Sequence, residues 1–477
     1  MDLGRKLARG ETTALELAQL SLERIAAIDA ELTRSVIEAN PDALEIAGRR
    51  DAERRRGKVR GPLHGLPLLI KDNIDTGDRM LTTAGSLAMT GAPAPRDAPL
   101  VTRLRRAGAV LIGKTNLSEW ANARSSRSSS GWSGRGRQTR NPHYLDRTPS
   151  GSSSGSGVAA AAGFAAITIG TETDGSIVSP SSACGIVGIK PGVGVVSRRG
   201  VIPIAASQDS PGPMTRTVED AAAVLGVIAE RPTDYRRQLK KDALRGKRLG
   251  VLRQPFTGYS EHTDGCYEQS LAALKDCGAA LVEVDFPSAK QLRESDDELT
   301  VLQHELKAGI NAYLRERRGL AVRTLADVIH WNEAHAAEEM PYFRQEFFEN
   351  AQATRGLKTK AYIDARATAL RLARTEGIDL LLRKHRLAAL VAPSNAPAAA
   401  LDVVDGEKHL GGSTQPSAVA GYPIITVPAG FAFGLPLGLS LFACAGSESR
   451  LLGFAYAFEQ ATQARRPPKF VPALQLS

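Results

Sequence analysis

Short apolar runs alternate with amphipathic segments in the first half of the chain. Residues 68–70, 110–113 and 167–170 are apolar runs of strand length, and they predict buried strands. Residues 98–107 and 158–166, which precede the second and third runs, predict helices. Such an alternation of helices and buried strands is typical of an α/β fold.

Residues 1–60 predict two or three N-terminal helices. Thr12 or Thr13 is a suitable N-cap, because Glu16 then lies near the third helical position of a capping box. The opening helix lacks the apolar core of a signal peptide. We therefore expect a cytoplasmic protein, or a periplasmic or secreted one if a signal peptide was removed ahead of residue 1.

The second half of the chain is more charged and more helical. Residues 230–390 carry most of the long charged helices and predict a peripheral helical layer or lid. Strand-like runs return at residues 388–393, 424–428 and 438–442. Because no clear linker separates these regions, we expect a single domain over residues 1–477.

Composition favours a large soluble enzyme or binding protein. The chain is 42% hydrophobic, which is ample for a large core, and 23% charged, an ordinary share for a globular protein. No run of about 18 uncharged apolar residues occurs, so we expect no membrane partner.

The formal net charge is +10, and the densest basic stretch is residues 49–60. A nucleic-acid site is one interpretation of this stretch, but neither interleaved aromatic residues nor a nucleic-acid motif accompany it. We interpret it as a solvated helix end that continues into a loop, and we expect no nucleic-acid partner. The oligomeric state is open at this point.

Metal and disulfide chemistry have little support in the sequence. The histidines form no HExxH pair, and the cysteines form no CxxC pair or zinc-like spacing. We expect no metal, no cofactor and reduced thiols at the four cysteines, which are Cys184, Cys266, Cys277 and Cys444.

Serine and glycine dominate residues 124–157. A flexible linker is the simplest interpretation of such composition. However, the segment leads directly into the predicted helix and strand of residues 158–170, where a linker would be out of place. We therefore predict an ordered loop whose glycines let the backbone approach a substrate.

Lys71 directly follows the apolar run 68–70. Lysines are rarely buried without a partner, and burial lowers the pKa of an amine, so that a neutral amine becomes available as a base. An exposed lysine at the end of a strand is the alternative.

Two serine-containing loops supply candidate nucleophiles. Ser152 and Ser153 lie in the serine- and glycine-rich segment, and Ser176 follows Gly175 in a tight loop after a predicted strand. A loop of this kind can expose a hydroxyl group and aim several backbone N–H groups at one point. A histidine-based triad is disfavoured, because His64 and His143 lie in candidate loops without a companion motif.

These features together resemble the amidase signature family, and within it the bacterial peptide amidases. The resemblance spans nearly the whole chain, in order, and it rests on residues 65–73, 114–121, 129–133, 151–156, 170–177, 184–191, 209–216 and 421–428.

The resemblance implies an α/β fold with a large, mixed, twisted central sheet that helices cover on both faces. It also implies a catalytic triad with Ser176 as nucleophile, Ser152 as proton relay and Lys71 as base. The backbone N–H groups of four residues are then expected to form the oxyanion hole, namely Thr173, Asp174, Gly175 and Ser176.

The same resemblance implies a cis peptide bond between Gly151 and Ser152. Asn122, Gly151 and Ser153 are the residues we expect to contact substrate. At position 174 many members of the family have glycine where this chain has Asp174.

The expected function is hydrolysis of an amide bond through an acyl-enzyme. The substrate is expected to be a small molecule or a short peptide amide, with ammonia released from a C-terminal peptide amide or a small carboxamide. Two alternatives stay open: the glutaminase subunit of a tRNA-dependent amidotransferase, and a non-catalytic basic binding protein on the same scaffold.

Overall fold

Eleven strands form one sheet in the computed structural model, which describes residues 1–474. The strands are β1 (Val36–Ala39), β2 (Pro67–Lys71), β3 (Val110–Thr115), β4 (Ile167–Glu172), β5 (Val187–Lys190), β6 (Ser210–Thr215), β7 (Arg248–Leu252), β8 (Ala280–Val284), β9 (Ala389–Pro393), β10 (Ile424–Ala432) and β11 (Leu435–Phe442).

The sheet is mixed. The order of its strands is β1-β3-β2-β4-β6-β5-β10-β11-β9-β7-β8. Strand β2 pairs in parallel with β3 and β4, and β7 pairs in parallel with β8 and β9. The other pairs are antiparallel. The prediction of a large mixed α/β sheet is confirmed.

Seventeen α-helices surround the sheet within residues 1–474. They are α1 (Asp2–Arg9), α2 (Ala14–Arg24), α3 (Ala43–Arg55), α4 (Pro99–Arg106), α5 (Ser154–Ala162), α6 (Val178–Ala183), α7 (Val218–Ile228), α8 (Glu261–Asp276), α9 (Ala289–Glu294), α10 (Asp297–Glu316), α11 (Leu325–Ala334), α12 (Ala336–Glu339), α13 (Glu346–Ala353), α14 (Lys360–Leu370), α15 (Asp379–Lys384), α16 (Gln415–Val419) and α17 (Glu448–Thr462). Ile25–Thr33 and Arg371–Ile378 are π-helical, and Leu87–Met89, Glu119–Asn122 and Tyr235–Gln238 are short 3₁₀ turns.

Helices cover both faces of the sheet. Successive side chains of a strand point to opposite faces. In β2, Leu68 and Ile70 pack in a cluster with residues of α4 and α7. Leu69, between them, packs in another cluster with residues of α2, α3 and α5. The central strands are therefore buried on both sides, which explains their uninterrupted apolar runs.

The N-terminal region, residues 1–60, contains α1, α2 and α3 together with one short strand. Helix α1 ends at Arg9, and Gly10 follows it as the C-cap with a φ of 70°. Thr13 forms a capping box with Glu16 at the start of α2, which confirms one of the two candidate caps. The short edge strand β1 was not predicted, because its four residues show no clear alternation.

Residues 230–390 are not a purely helical layer. Helices α10, α11 and α13 do pack together around one apolar cluster. The same region, however, contributes β7 and β8 to the edge of the sheet. Most of β8 is exposed or half-buried, so its pattern resembles that of a surface segment. The extent of the domain over residues 1–477 stays a prediction.

Candidate active site

Lys71 ends β2 in the interior of the sheet, and its side chain is 0% exposed. Its Nζ lies 2.9 Å from Ser152 Oγ and 3.0 Å from Ser153 Oγ. It also lies 2.9 Å from Thr171 Oγ1 and 3.3 Å from the Thr171 carbonyl oxygen. The structure thus brings together the residues that the sequence indicates as base and relay.

Burial lowers the pKa of Lys71 to about 7. The cause is desolvation, which disfavours the charged ammonium, whereas the nearby carboxylates of Asp209 and Glu172 act in the opposite direction. A large fraction of this lysine is therefore neutral at neutral pH. A neutral amine with a hydroxyl group at 2.9 Å can serve as a general base.

The peptide bond between Gly151 and Ser152 is cis. The carbonyl oxygen of Ser152 accepts a hydrogen bond from the Ser118 N–H at 3.0 Å. A Cβ atom on Gly151 would lie 2.3 Å from Ser118 Oγ and 3.0 Å from Ser130 Oγ. Only glycine therefore fits at position 151 without a shift of its surroundings.

Ser153 connects the three segments of the site. Its Oγ donates to the Thr171 carbonyl oxygen at 3.0 Å and accepts from the Thr171 N–H at 3.2 Å. Its own N–H donates to the Ser176 carbonyl oxygen at 3.1 Å. Together with its contact to Lys71, these bonds hold the segment of Ser152 beside the segment of Ser176.

The loop that carries Ser176 leaves the end of β4 and enters α6. The Glu172 carboxylate accepts hydrogen bonds from the N–H groups of Ile177 and Val178, at 2.7 and 2.9 Å, and so closes the loop. Gly175 has a φ of 78°, a conformation that side chains rarely adopt. This glycine makes the tight turn before Ser176 possible.

Four backbone N–H groups of this loop are free within the described part of the chain. Those of Thr173, Asp174, Gly175 and Ser176 donate to no protein group of residues 1–474. Thr173 is also held by its Oγ1, which donates to Asp209 Oδ1 at 2.6 Å. Unpaired N–H groups on a fixed loop are what an oxyanion hole requires.

Asn122 lies in a left-handed turn, with a φ of 71°. It is half-buried, and its side-chain Oδ1 has no hydrogen-bond partner among residues 1–474. It makes no hydrogen bond to the three triad residues. An unpaired amide oxygen is available to a ligand, but the structure does not bring Asn122 into the triad itself.

Two tryptophans in the segments near the site are packing residues. Trp120 is buried and contacts Phe348 edge to face, with ring centroids 5.5 Å apart. Trp132 is buried between Tyr342 and Phe343, with centroids 5.7 and 5.2 Å away. Both rings thus attach the helices of the second half of the chain to the core.

A family model described as Amidase matches residues 16–452. A probable amidase of Arabidopsis thaliana is 40% identical over 481 residues, which cover 96% of this chain and 89% of the relative.

The chain belongs to the amidase family.

Solved structures agree with this membership in the amidase family. The native peptide amidase of Stenotrophomonas maltophilia is 49% identical, covers 98% of each chain and superposes with a TM-score of 0.93. A more distant relative, a glutamyl-tRNA(Gln) amidotransferase subunit from a Synechococcus strain, is 33% identical over 99% of this chain and 94% of its own. The comparisons support an enzyme that hydrolyses amides.

Sequence reasoning on this amidase missed the side chains that support the site. Thr171 and Glu172 lie inside a segment that carries the family resemblance, but no local pattern indicated their contacts. Asp209 begins another such segment, and the sequence does not reveal that it holds Thr173. Gln208 and Glu298, which lie behind the same loop, carried no signal at all.

Two further observations concern membrane-spanning helices and metal sites, and both apply to the described residues. Between residues 1 and 474, no helix has both the length and the apolar character of a membrane span. The same residues hold no cluster of three or more side chains suited to a metal ion. All four cysteines are free thiols.

Proposed function

We propose that this amidase hydrolyses the C-terminal carboxamide of short peptides and releases ammonia, with Ser176 as nucleophile, Ser152 as relay and Lys71 as base. The observation that carries the mechanism is the direct contact between the buried Lys71 Nζ and Ser152 Oγ at 2.9 Å. The substrate class is supported by the similarity to the peptide amidase of Stenotrophomonas maltophilia.

The hydrogen-bond directions favour Ser152 as the proton donor to a neutral Lys71. Ser153 Oγ already donates to the Thr171 carbonyl oxygen, so it accepts from the amine. Thr171 Oγ1 accepts from Asn73 and from the amine. A neutral amine has two N–H groups and one lone pair, so a hydroxyl group with no other acceptor among residues 1–474, such as that of Ser152, can donate to that lone pair.

The reaction then follows from these positions. Ser152 passes its proton to Lys71 and takes up the proton of Ser176, whose oxygen attacks the amide carbon. The free N–H groups at residues 173–176 stabilise the negative charge on the carbonyl oxygen. The relay then protonates the leaving nitrogen, ammonia departs, and water hydrolyses the ester formed on Ser176.

Three further residues are proposed to line the substrate. Asn122 offers its unpaired Oδ1, Gly151 leaves space that a side chain would fill, and Ser153 fixes the base. We expect residues 290–375 to shape the approach, because α10, α11 and α13 pack against Trp120 and its neighbours.

The test uses an amidated tetrapeptide and its free-acid form. After incubation with the enzyme, mass spectrometry should show a gain of about one mass unit, from –NH₂ to –OH, with no internal fragments, and the free acid should be unchanged. Internal cleavage of either peptide would contradict the proposal. So would an intact tetrapeptide amide beside rapid hydrolysis of an aryl amide.

The glutaminase alternative is tested in the same assay. It has specific support, because the Synechococcus relative is named as an amidotransferase subunit. Free glutamine is therefore included at the concentration of the peptide amide. Faster ammonia release from glutamine than from the tetrapeptide amide would favour that alternative.

A further inference from the structure

Asp174 is the only exposed residue in the segment 172–178, which carries the nucleophile. Desolvation and the neighbouring Glu298 carboxylate raise the pKa of its carboxyl group well above the usual range. Asp174 is therefore the side chain of this segment that a ligand can reach, two residues away from Ser176.

Thr414 is a neighbour of the Asp174 carboxyl group, and its hydroxyl group opposes the rise of the carboxyl pKa. Thr414 also packs against the same loop, since a Cβ atom on Gly175 would lie 3.2 Å from Thr414 Oγ1. Thr414 is therefore placed to orient the carboxyl group.

Glu298 of α10 supports the same loop from behind. Its two carboxylate oxygens accept hydrogen bonds from the side-chain amides of Gln208 at 2.8 Å and Gln415 at 2.9 Å. The Gln208 amide also reaches the Thr173 carbonyl oxygen at 3.5 Å. Since both oxygens of Glu298 are occupied, Asp174 is the acidic group of the pair that is free to meet a ligand.

The chemistry of the site leaves a role for an acceptor. The free N–H groups of the loop are donors, and the lone pairs of Lys71 and Ser152 take part in proton transfer. Asn122 Oδ1 is unpaired among residues 1–474 but makes no hydrogen bond to Lys71, Ser152 or Ser176. A peptide amide brings further N–H groups, on the leaving nitrogen and on the residue that carries the scissile carbonyl. A buried N–H without an acceptor is costly, so discrimination in favour of such substrates requires an acceptor nearby.

We infer that Asp174 is a specificity-determining residue whose carboxyl group accepts a hydrogen bond from a substrate N–H next to the scissile carbonyl. That N–H belongs either to the leaving –NH₂ or to the amide nitrogen of the residue that forms the acyl-enzyme. This inference rests on the proposed function, because it concerns the substrate of the same site. A protonated carboxyl group keeps a carbonyl oxygen that accepts, so the role does not require the carboxylate.

The experiment measures kcat/KM for four substrates with one phenyl side chain. N-acetyl-phenylalanine amide carries both N–H types, and its methyl ester lacks the leaving N–H. 3-Phenylpropanamide lacks the other N–H, and methyl 3-phenylpropanoate lacks both. The wild type is compared with Asp174→Ala and with Asp174→Asn, which keeps an acceptor oxygen.

Asp174→Ala should lower kcat/KM about 10-fold to 100-fold more for the substrates that carry the recognised N–H than for those that lack it. The amide-to-ester ratio identifies the leaving nitrogen, and the ratio between the two acyl groups identifies the other N–H. In Asp174→Asn, the ratio of kcat/KM between substrates with and without the recognised N–H should return most of the way to its wild-type value. Thr414→Val, which releases the carboxyl group, should reduce the same ratio by a smaller factor.

An equal loss on all four substrates would overturn the inference, since it would indicate a merely structural role. A ratio that Asp174→Asn fails to restore would overturn it too. If the wild type hydrolyses none of the four substrates, the proposed function and this inference fail together. If the wild type hydrolyses the substrates and Asp174→Ala leaves the ratios of kcat/KM between them unchanged, only the inference fails.

Discussion

Lys71 has to lose its proton before it can act as a base, and its pKa of about 7 sets where this happens. The pKa is lowered by burial, so lowering the pH below 7 protonates the amine and removes the base. We predict that kcat/KM for a peptide amide falls about tenfold per pH unit below this midpoint and levels off above it. The measurement is a pH–rate profile between about pH 5 and 9.

Asp209 provides the control for this profile. Its carboxylate raises the pKa of Lys71, and its own pKa is raised by burial to about 6. Asp209→Asn should therefore move the midpoint to lower pH, whatever it does to the maximal rate. A profile that stays flat between pH 5 and 8, or a midpoint that rises in this variant, would contradict the assignment of Lys71.

At the residue scale, the sequence indicated Lys71 and the two serines as candidates, but it did not indicate the contacts that support them. Lys71 was a candidate because it directly follows an apolar run. Ser152 and Ser176 were candidates because each lies in a glycine-containing loop that also carries a motif of the family. The contact between Lys71 and Thr171, by contrast, joins residues 100 positions apart. No local pattern encodes such a pairing, because it depends on the alignment of β2 beside β4.

Gly155, the second residue of helix α5, lies close to the backbone of neighbouring segments. A Cβ atom on Gly155 would lie 2.3 Å from the Ser35 carbonyl oxygen and 2.5 Å from the Asn116 carbonyl oxygen. Because these are backbone atoms, they can move away only if the whole segment shifts. We predict that Gly155→Ala lowers the free energy of unfolding by about 2 kcal/mol and therefore lowers the melting temperature.

Gly48 in α3 is the matched control, because a Cβ atom there would meet nothing within 4 Å. Gly48→Ala should leave the melting temperature unchanged or raise it, since alanine favours a helix over glycine by about 0.5–1 kcal/mol. Thermal unfolding of both variants is the measurement. Equal shifts in the same direction would contradict the close approach at Gly155.

At the element scale, buried strands between helices were predicted and the less regular strands were missed. Strand β6 (Ser210–Thr215) contains Pro211 and Pro213, residues that normally argue against an interior strand. Strands β7 and β8 lie in the charged region and complete the edge of the sheet. Their charged residues are consistent with that position at the edge of the sheet, and no alternation of apolar and polar residues marks them as strands.

At the scale of the whole molecule, the fold class followed from the sequence and the order of the strands did not. Strand β5 is the middle strand of the sheet and pairs antiparallel with β10, although the two strands are far apart along the chain. The family resemblance supplied the expectation of a mixed sheet, whereas hydrophobic pattern alone indicated only an α/β class. The family model matches residues 16–452, which is consistent with a resemblance that spans nearly the whole chain.

The central claim is that Ser176 is the nucleophile of an amide hydrolase. The most direct test is peptide mapping by mass spectrometry after reaction of the enzyme with a fluorophosphonate. We predict that the phosphonate is attached to Ser176 and that Ser176→Ala takes up no label, keeps its fold and loses nearly all ammonia release from a peptide amide. Label on a different residue, with Ser176→Ala still fully active, would contradict the account.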